Sequence, residues 1–287
     1  MRRQKRTNPN VRQIPAPAQD PAHGLPYDPG NAADLLKHGW LAVMVPWLLS
    51  KDAGAFRYAD SFAGEWDYEL LPRVSARLSR LKSTPLSRYS QSAWQDGRYL
   101  GSTGLVGAIA SHERRPVEIW VGDRCSDRVA RLVANHSCHE LPESGGGYAV
   151  LRSDQRYDLI LLDPFADFLR EAPRWLPEIV ARSANCSLLL VVLAESHESE
   201  AYREYVDAFR QQCRTQGATA IVGGVPALPH STVRGESRHD AEVVLIPRRD
   251  VAPAFAEEVL PQLAAMTAQV AVLLGDAAEA RLRMYRP

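Results

Sequence analysis

Four aspartates, Asp60, Asp123, Asp154 and Asp163, each sit at or just after the end of an apolar run. The first is followed by Ser61-Phe62-Ala63-Gly64, the second is preceded by Gly122, the third by Ser153, and the fourth is followed by Pro164-Phe165-Ala166. A carboxylate beside an Ala-Gly turn lets the backbone approach a ligand closely, because glycine carries no Cβ. A carboxylate at Gly122-Asp123 is placed to accept hydrogen bonds from a ribose diol. An acidic row next to a glycine turn suits a cationic nucleoside such as S-adenosylmethionine. It suits a dinucleotide pyrophosphate less well, because no GxGxxG is present. Any one of these aspartates alone reads more simply as a helix cap; the four together are more specific.

The elements that must position them alternate in type. Strands are expected over Phe56–Ser61, Val117–Gly122, Tyr148–Leu151, Asp158–Asp163, Ser187–Leu193, Ala218–Gly223 and Glu242–Ile246. Helices are expected over Ala32–Leu49, from Gly101 onward, and over Ser126–His136, Phe168–Ala184, Glu200–Gln216 and Pro253–Leu274. Asn31 reads as an N-cap, and Pro46 predicts a kink or an early stop. Alternating strands and helices imply parallel βαβ units. The fold class is therefore α/β: a mostly parallel seven-stranded sheet with helices on both faces. In such a sheet ligands bind beyond the carboxyl ends of the strands. Residues 1–30 read as a disordered, basic and proline-rich arm. Residues 31–287 read as one domain with a polar insertion at about 66–100.

Composition sets the outer limits. The chain has 287 residues, 45% hydrophobic and 24% charged, with zero formal net charge, as in ordinary globular domains. Bulk charge alone predicts no nucleic-acid partner. However, Arg2, Arg3, Lys5, Arg6 and Arg12 precede any acid, and such an arm either touches phosphate or is simply solvated. No apolar run reaches membrane-spanning length. The basic start lacks the apolar stretch of a signal peptide. Four cysteines without a CxxC pair fit a reducing, cytoplasmic setting.

Other constellations are weaker. Cys125, His136, Cys138 and His139 lack the paired spacing of a zinc site, so no metal is expected. His230, Ser231, Thr232 and Asp240 have no GxSxG elbow and read as a polar loop; His230 and Arg234 stay as weak candidates for substrate contact. Glu195 and His197 follow the fifth strand as candidate acid-base groups, or as caps.

Gly30–His38 (GNAADLLKH), followed by Tyr58–Gly64 (YADSFAG), resembles the start of the bacterial 23S ribosomal RNA (adenine-N6)-methyltransferase family. That family carries GNxAD-x-LKH ahead of its first strand. The similarity continues in order through Gly101-Ser102, Arg152–Asp163, Val225–Pro229, Val243–Pro247 and Val259–Pro261. The resemblance implies a Rossmann-like methyltransferase fold, S-adenosylmethionine as cofactor, and an rRNA-like substrate. It implies that Lys37 and His38 lie near the cofactor or the target base. Asp60, Phe62, Gly64 and Ser102 would line the cofactor, Asp123 (or Gly122) would face its ribose, and Asp154 its adenine. Asp163, with Pro164 and Phe165, would form the catalytic motif and orient the amine being methylated.

The sequence also departs from the family pattern. Asp163-Pro164-Phe165-Ala166 stands where the family has Asp-Pro-Pro-Tyr, so the aromatic that would stack on a flipped base has only Phe165 or Phe168 as substitutes. Glu65-Trp66 follows Gly64 where a second glycine is usual, and Phe62 replaces a histidine. These departures define a second reading: a non-catalytic relative acting as a binding or assembly protein. The two readings differ in whether Phe62 or Trp66 fills the space above the first strand.

Overall fold

A reciprocal cap starts the ordered chain. Asn31 Oδ1 accepts from Asp34 N at 3.0 Å, a donor that a helix start leaves unpaired, and Asp34 Oδ2 accepts from Gly30 N at 3.0 Å, which ties the entering chain to the first turn. Helix α1 (Ala32–Lys51) follows. Pro46 lies inside it, yet the helix runs on to Lys51. The residues before the proline explain this. Asp34 to Val45 are buried without a break, and this packing outweighs one lost backbone bond.

The computed structural model describes residues 29–142, 147–164, 168–194, 196–225, 240–274 and 281–286. The basic arm, Phe165, Glu195, His230 to Thr232 and Arg234 lie outside the described residues.

Strands β1 (Phe56–Asp60), β4 (Val117–Val121), β5 (His139–Glu140), β6 (Leu159–Leu162) and β7 (Ser187–Ala194) are parallel. β8 (Ala220–Val225), β9 (Asp240–Ile246) and β10 (Arg281–Tyr285) complete the sheet in antiparallel pairings. The order is β10-β8-β9-β7-β6-β1-β4-β5. The sheet thus has eight strands and is mixed, against the seven mostly parallel ones expected. Residues 148–151 belong to a 3-10 helix (Gly147–Arg152), and the third parallel strand is the two-residue β5. A short apolar run carries no decisive period; here Tyr148 and Leu151 bury against the helix that follows β6. The insertion holds a hairpin, β2 (Asp67–Glu69) with β3 (Arg98–Leu100), around α2 (Pro72–Leu78) and α3 (Pro85–Gln95).

Helices α1, α4 (Ser102–His112) and α9 (Leu260–Leu274) share one core with Leu159, Leu161, Leu189 and Val191. Helices α6 (Phe168–Arg182) and α7 (Glu200–Gln216) share the other with Ile160, Leu162, Leu188 and Leu190. Neighbouring residues of each strand therefore feed opposite cores, as the period of two demands. α5 (Ser126–His136) follows β4, and α8 (Ala252–Glu258) precedes α9. The expected single helix over 253–274 divides at Val259, just before Pro261, which cannot donate a helical bond. No helix among the described residues is long and apolar enough to cross a membrane.

From β1 the chain order runs outward through β4 and β5 on one side and through β6 and β7 on the other. The crevice between the carboxyl ends of β1 and β6 is therefore the switch point where such sheets bind ligands.

One packing contact next to this crevice gives a test. Gly104 lies inside α4, where alanine would normally stabilise by about 1 kcal/mol. A Cβ there would stand 2.2 Å from the Trp66 carbonyl oxygen. Gly104→Ala is expected to lower the thermal midpoint, at about 1–3 kcal/mol for overpacking. A raised midpoint in a melting experiment would contradict this packing.

Candidate active site at the switch point

Lys37 sits one turn after Asp34 on α1. Its Nζ lies 3.0 Å from Asp34 Oδ1 and 2.5 Å from Asp163 Oδ2, just beyond β6. Burial opposes a charged lysine. The Asp163 and Asp34 carboxylates outweigh it and hold Lys37 protonated. Burial raises the Asp163 pKa, against the Lys37 charge. The Asp163 side chain stays a quarter exposed, so it keeps an open side. The helix cap, the lysine and an acid 126 residues away thus form one chain of contacts.

Asp60 ends β1 and is fully buried. Its Oδ2 accepts from Ser102 Oγ and from Tyr58 Oη, the latter at 3.1 Å. Its Oδ1 has no partner. Burial pushes Asp60 up to about 6, against the Ser102 hydrogen bond and the Lys37 charge. His38 Nδ1 lies 2.7 Å from Tyr99 Oη, and Nε2 has no partner. Burial and the Lys37 charge push His38 down to about 3, so its ring is neutral. Thr103 Oγ1, beside Ser102 at the start of α4, is also buried and unpartnered. Buried polar atoms are nearly always paired. Asp60 Oδ1, His38 Nε2 and Thr103 Oγ1 are thus three buried polar atoms that the protein itself leaves unpaired.

The end of β4 is arranged differently. Asp123 Oδ1 accepts from Cys125 N at 2.6 Å, and Oδ2 accepts from Arg128 at 2.8 Å. Arg128 is 3% exposed and also reaches Glu65 at 3.3 Å; Arg131 reaches Glu65 at 2.6 Å. The loop after β1 is thereby clasped to α5 across Asp123. Gly64 makes room for a neighbouring side chain, since a Cβ there would stand 2.1 Å from Tyr68 Oη.

Phe62 sets its ring edge-on to Tyr148, centroids 5.4 Å apart, in the core of the α6 face. Trp66 stacks on His136 at 4.3 Å and lies over Gly107 on the flank of α4. The two rings therefore pack to opposite sides, and Phe62 leaves the α1 side that holds Lys37. Pro164 follows Asp163 and is buried.

Asp154 does not join this group. The 3-10 helix carries the chain back to the amino edge of the sheet before β6 begins. There Asp154 lines a cavity of about 430 Å³ with Arg156, Tyr157, Arg182, Asn185 and Arg248. That cavity lies at the wrong edge for a parallel-sheet ligand site.

Among the described residues no cluster of His, Cys, Asp or Glu could hold a metal ion. His136 is stacked on Trp66 and His139 on Trp120. His197 is buried, 3.1 Å from Asp240 Oδ2.

Sequence reasoning missed four residues. Asp34 lies inside the GNAADLLKH motif, where nothing local marks it as a partner of the Lys37–Asp163 pair. Thr103 adjoins Ser102. Tyr99 and Arg128 gave no local signal, because their partners are 61 and 63 residues away, His38 and Glu65.

Lys37→Met strands two carboxylates, and removing one member of a buried ion pair costs about 3–5 kcal/mol. The variant is expected to unfold at clearly lower urea, and Asp163→Asn added to it should recover part of the loss. Additive losses would show that the two side chains are not coupled.

No family model matches the sequence, and no curated protein matches it. Among solved structures, the chain is similar to LPL1258 from Legionella pneumophila, described as a DUF519 protein. The identity is 14%, coverage is 90% of this chain and 97% of that one, and the TM-score is 0.62. More distant likenesses are a methyltransferase homologue from Pyrococcus horikoshii (12% identity, 72% and 66% coverage, TM-score 0.37) and the plantazolicin methyltransferase BpumL (9% identity, 75% and 85% coverage, TM-score 0.37). These two carry no argument about this chain. The first establishes a shared α/β fold over nearly the whole of both proteins.

Proposed function

We propose that this chain is an S-adenosylmethionine-dependent methyltransferase of Rossmann-like fold, acting on an exocyclic base amine of RNA, adenine N6 in an rRNA-like substrate. The observation that carries this reading is the switch-point pair: an Asp163 carboxylate fixed by Lys37, and an Asp60 carboxylate with one unpartnered oxygen.

The residues present fit the cofactor. Asp60 Oδ1 suits an ammonium group, while Ser102, Thr103 and His38 Nε2 suit its other polar atoms. When bound, S-adenosylmethionine supplies an electrophilic methyl group. Asp163 accepts a hydrogen bond from the acceptor amine and so aims its lone pair. Lys37 fixes the Asp163 carboxylate while leaving its exposed side open. Such a site works chiefly by orientation. Asp34, Lys37, Asp60 and Asp163 carry more negative than positive charge at neutral pH, which favours a cationic ligand over an anionic one.

The second reading is a non-catalytic binding or assembly protein. It is favoured by the Arg128 clasp on Asp123, the carboxylate that would face a ribose.

Titration calorimetry with S-adenosylmethionine and S-adenosylhomocysteine separates the two. Micromolar binding of either supports the enzyme reading. No heat up to millimolar ligand would favour the second. Asp163→Asn should keep cofactor binding and lose about 10²-fold or more in turnover on RNA; unchanged turnover would remove Asp163 from the chemistry. Because Asp60 is raised to about 6, binding should be level above pH 7. Below pH 6 it should weaken by up to about tenfold per unit as the carboxylate protonates. Asp60→Asn should flatten that profile, and a wild-type profile level down to pH 5 would exclude Asp60 as the ammonium partner.

A further inference from the structure

The chain has zero formal net charge, yet arginines gather along one flank of the site. Phe62, two residues beyond Asp60, meets Tyr148 edge-on. Phe168, five residues beyond Asp163, lies 6.4 Å from the same ring. Tyr148 stacks on Trp175 of α6 at 4.7 Å with planes 16° apart. Phe168 and Tyr148 are buried, so this series links both acid-bearing loops through the core to the half-buried Trp175, the ring that reaches the surface of α6. Arg152 and Arg174 each hold a guanidinium 5.0 Å from the centre of the Trp175 ring. Arg124, just beyond β4, lies close enough to the Tyr148 hydroxyl to act on it electrostatically. Arg124, Arg152 and Arg174 are exposed, and the buried Tyr148 hydroxyl has no partner. Two acids temper the patch: Glu178 pairs with Arg152 at 2.8 and 3.0 Å, and Glu171 adjoins Tyr148.

We propose that this arginine–aromatic ridge is the contact surface for single-stranded RNA, carrying the strand to and from the switch-point site. The inference rests on the RNA-methyltransferase reading above. A guanidinium held beside an indole is partly pre-ordered to stack against a base and to bond phosphate in its own plane. Single strands are gripped by this combination of cations and stacking planes. An apolar protein partner fits less well. The large hydrophobic side chains exposed among the described residues are Val133 and Val272, which stand singly on α5 and α9, whereas protein interfaces centre on an apolar core.

The test uses the full chain and fluorescence anisotropy with a labelled 12-nucleotide RNA, the same sequence as single-stranded DNA, and duplex RNA. S-adenosylhomocysteine titrations run alongside. The single-stranded RNA is expected to bind tighter than duplex. Arg124→Ala with Arg174→Ala should weaken it by about tenfold and reduce the salt slope by about 0.7 per arginine, with melting temperature and S-adenosylhomocysteine affinity unchanged. Trp175→Phe should keep most of the affinity and Trp175→Leu should lose it, both remaining folded. Wild-type RNA binding that the double variant leaves unaltered in strength and slope overturns the ridge while leaving the enzyme reading in place. Cofactor binding with no RNA affinity at low salt overturns both the ridge and RNA as substrate. Equal affinity for the DNA strand supports the surface and moves the substrate choice to the active site.

Discussion

A lysine ammonium taken out of water needs opposite charge close by, and Lys37 has it from two sides. Asp34 comes from the same helix turn and Asp163 from the far side of the switch point. The contact chain begins in the helix cap, because Asp34 also receives the Gly30 amide. Loss of the cap would let Asp34 swing, and Lys37 would then have one partner to share with the site. The angle at which α1 lies over the sheet is thereby tied to the orientation of Asp163. Breaking such a pair is costly, although forming it gains little over an apolar packing of equal volume. Stability alone is therefore a weak reason to keep it, and its more specific effect is to fix one carboxylate in one place.

Burial then sorts the remaining titratable groups around that pair. His38 is too buried and too near Lys37 to accept a proton, so it contributes hydrogen bonds and no charge. Asp60 is raised only to about 6, because Ser102 and Lys37 counter part of its desolvation. At neutral pH it is largely ionised, with one oxygen unpaired. A neutral imidazole, two hydroxyls and a half-satisfied carboxylate form a set of donors and acceptors without a positive end. The only buried cation among them, Lys37, is already spent on two acids.

How far the sequence revealed this depends on the distance between partners. The cap, the start of α1 and the strands β1, β4, β6 and β7 follow from local signals: a capping residue, apolar runs and acids at their ends. Asp60 and Asp163 were placed together because parallel βαβ order puts both strand ends on one edge. Asp154 was misplaced because Tyr148–Leu151 has no decisive period, and reading it as a strand moved the next acid to the wrong edge. The early stop at Pro46 does not occur, because local propensity could not weigh the buried length of α1 that precedes it. The edge strand β10 and the pairs His38–Tyr99 and Arg128–Glu65 left no trace in pattern or spacing, since only tertiary structure brings them together.

The clasp at Asp123 bears on access more than on capacity. An ionised carboxylate offers about four lone-pair sites, and Arg128 and the Cys125 amide occupy two of them. A diol could bond to the remaining sites without expelling Arg128, provided that the loop through Glu65 moved aside. The Glu65 side chain is about one-third exposed, and its link to the half-exposed Arg131 is a surface ion pair, of the kind that contributes about 0–1 kcal/mol. The Arg128–Asp123 bond, with both groups buried, is the strong half of the clasp. The strong half occupies only part of the Asp123 lone-pair capacity, so the clasp by itself does not exclude a diol at that carboxylate.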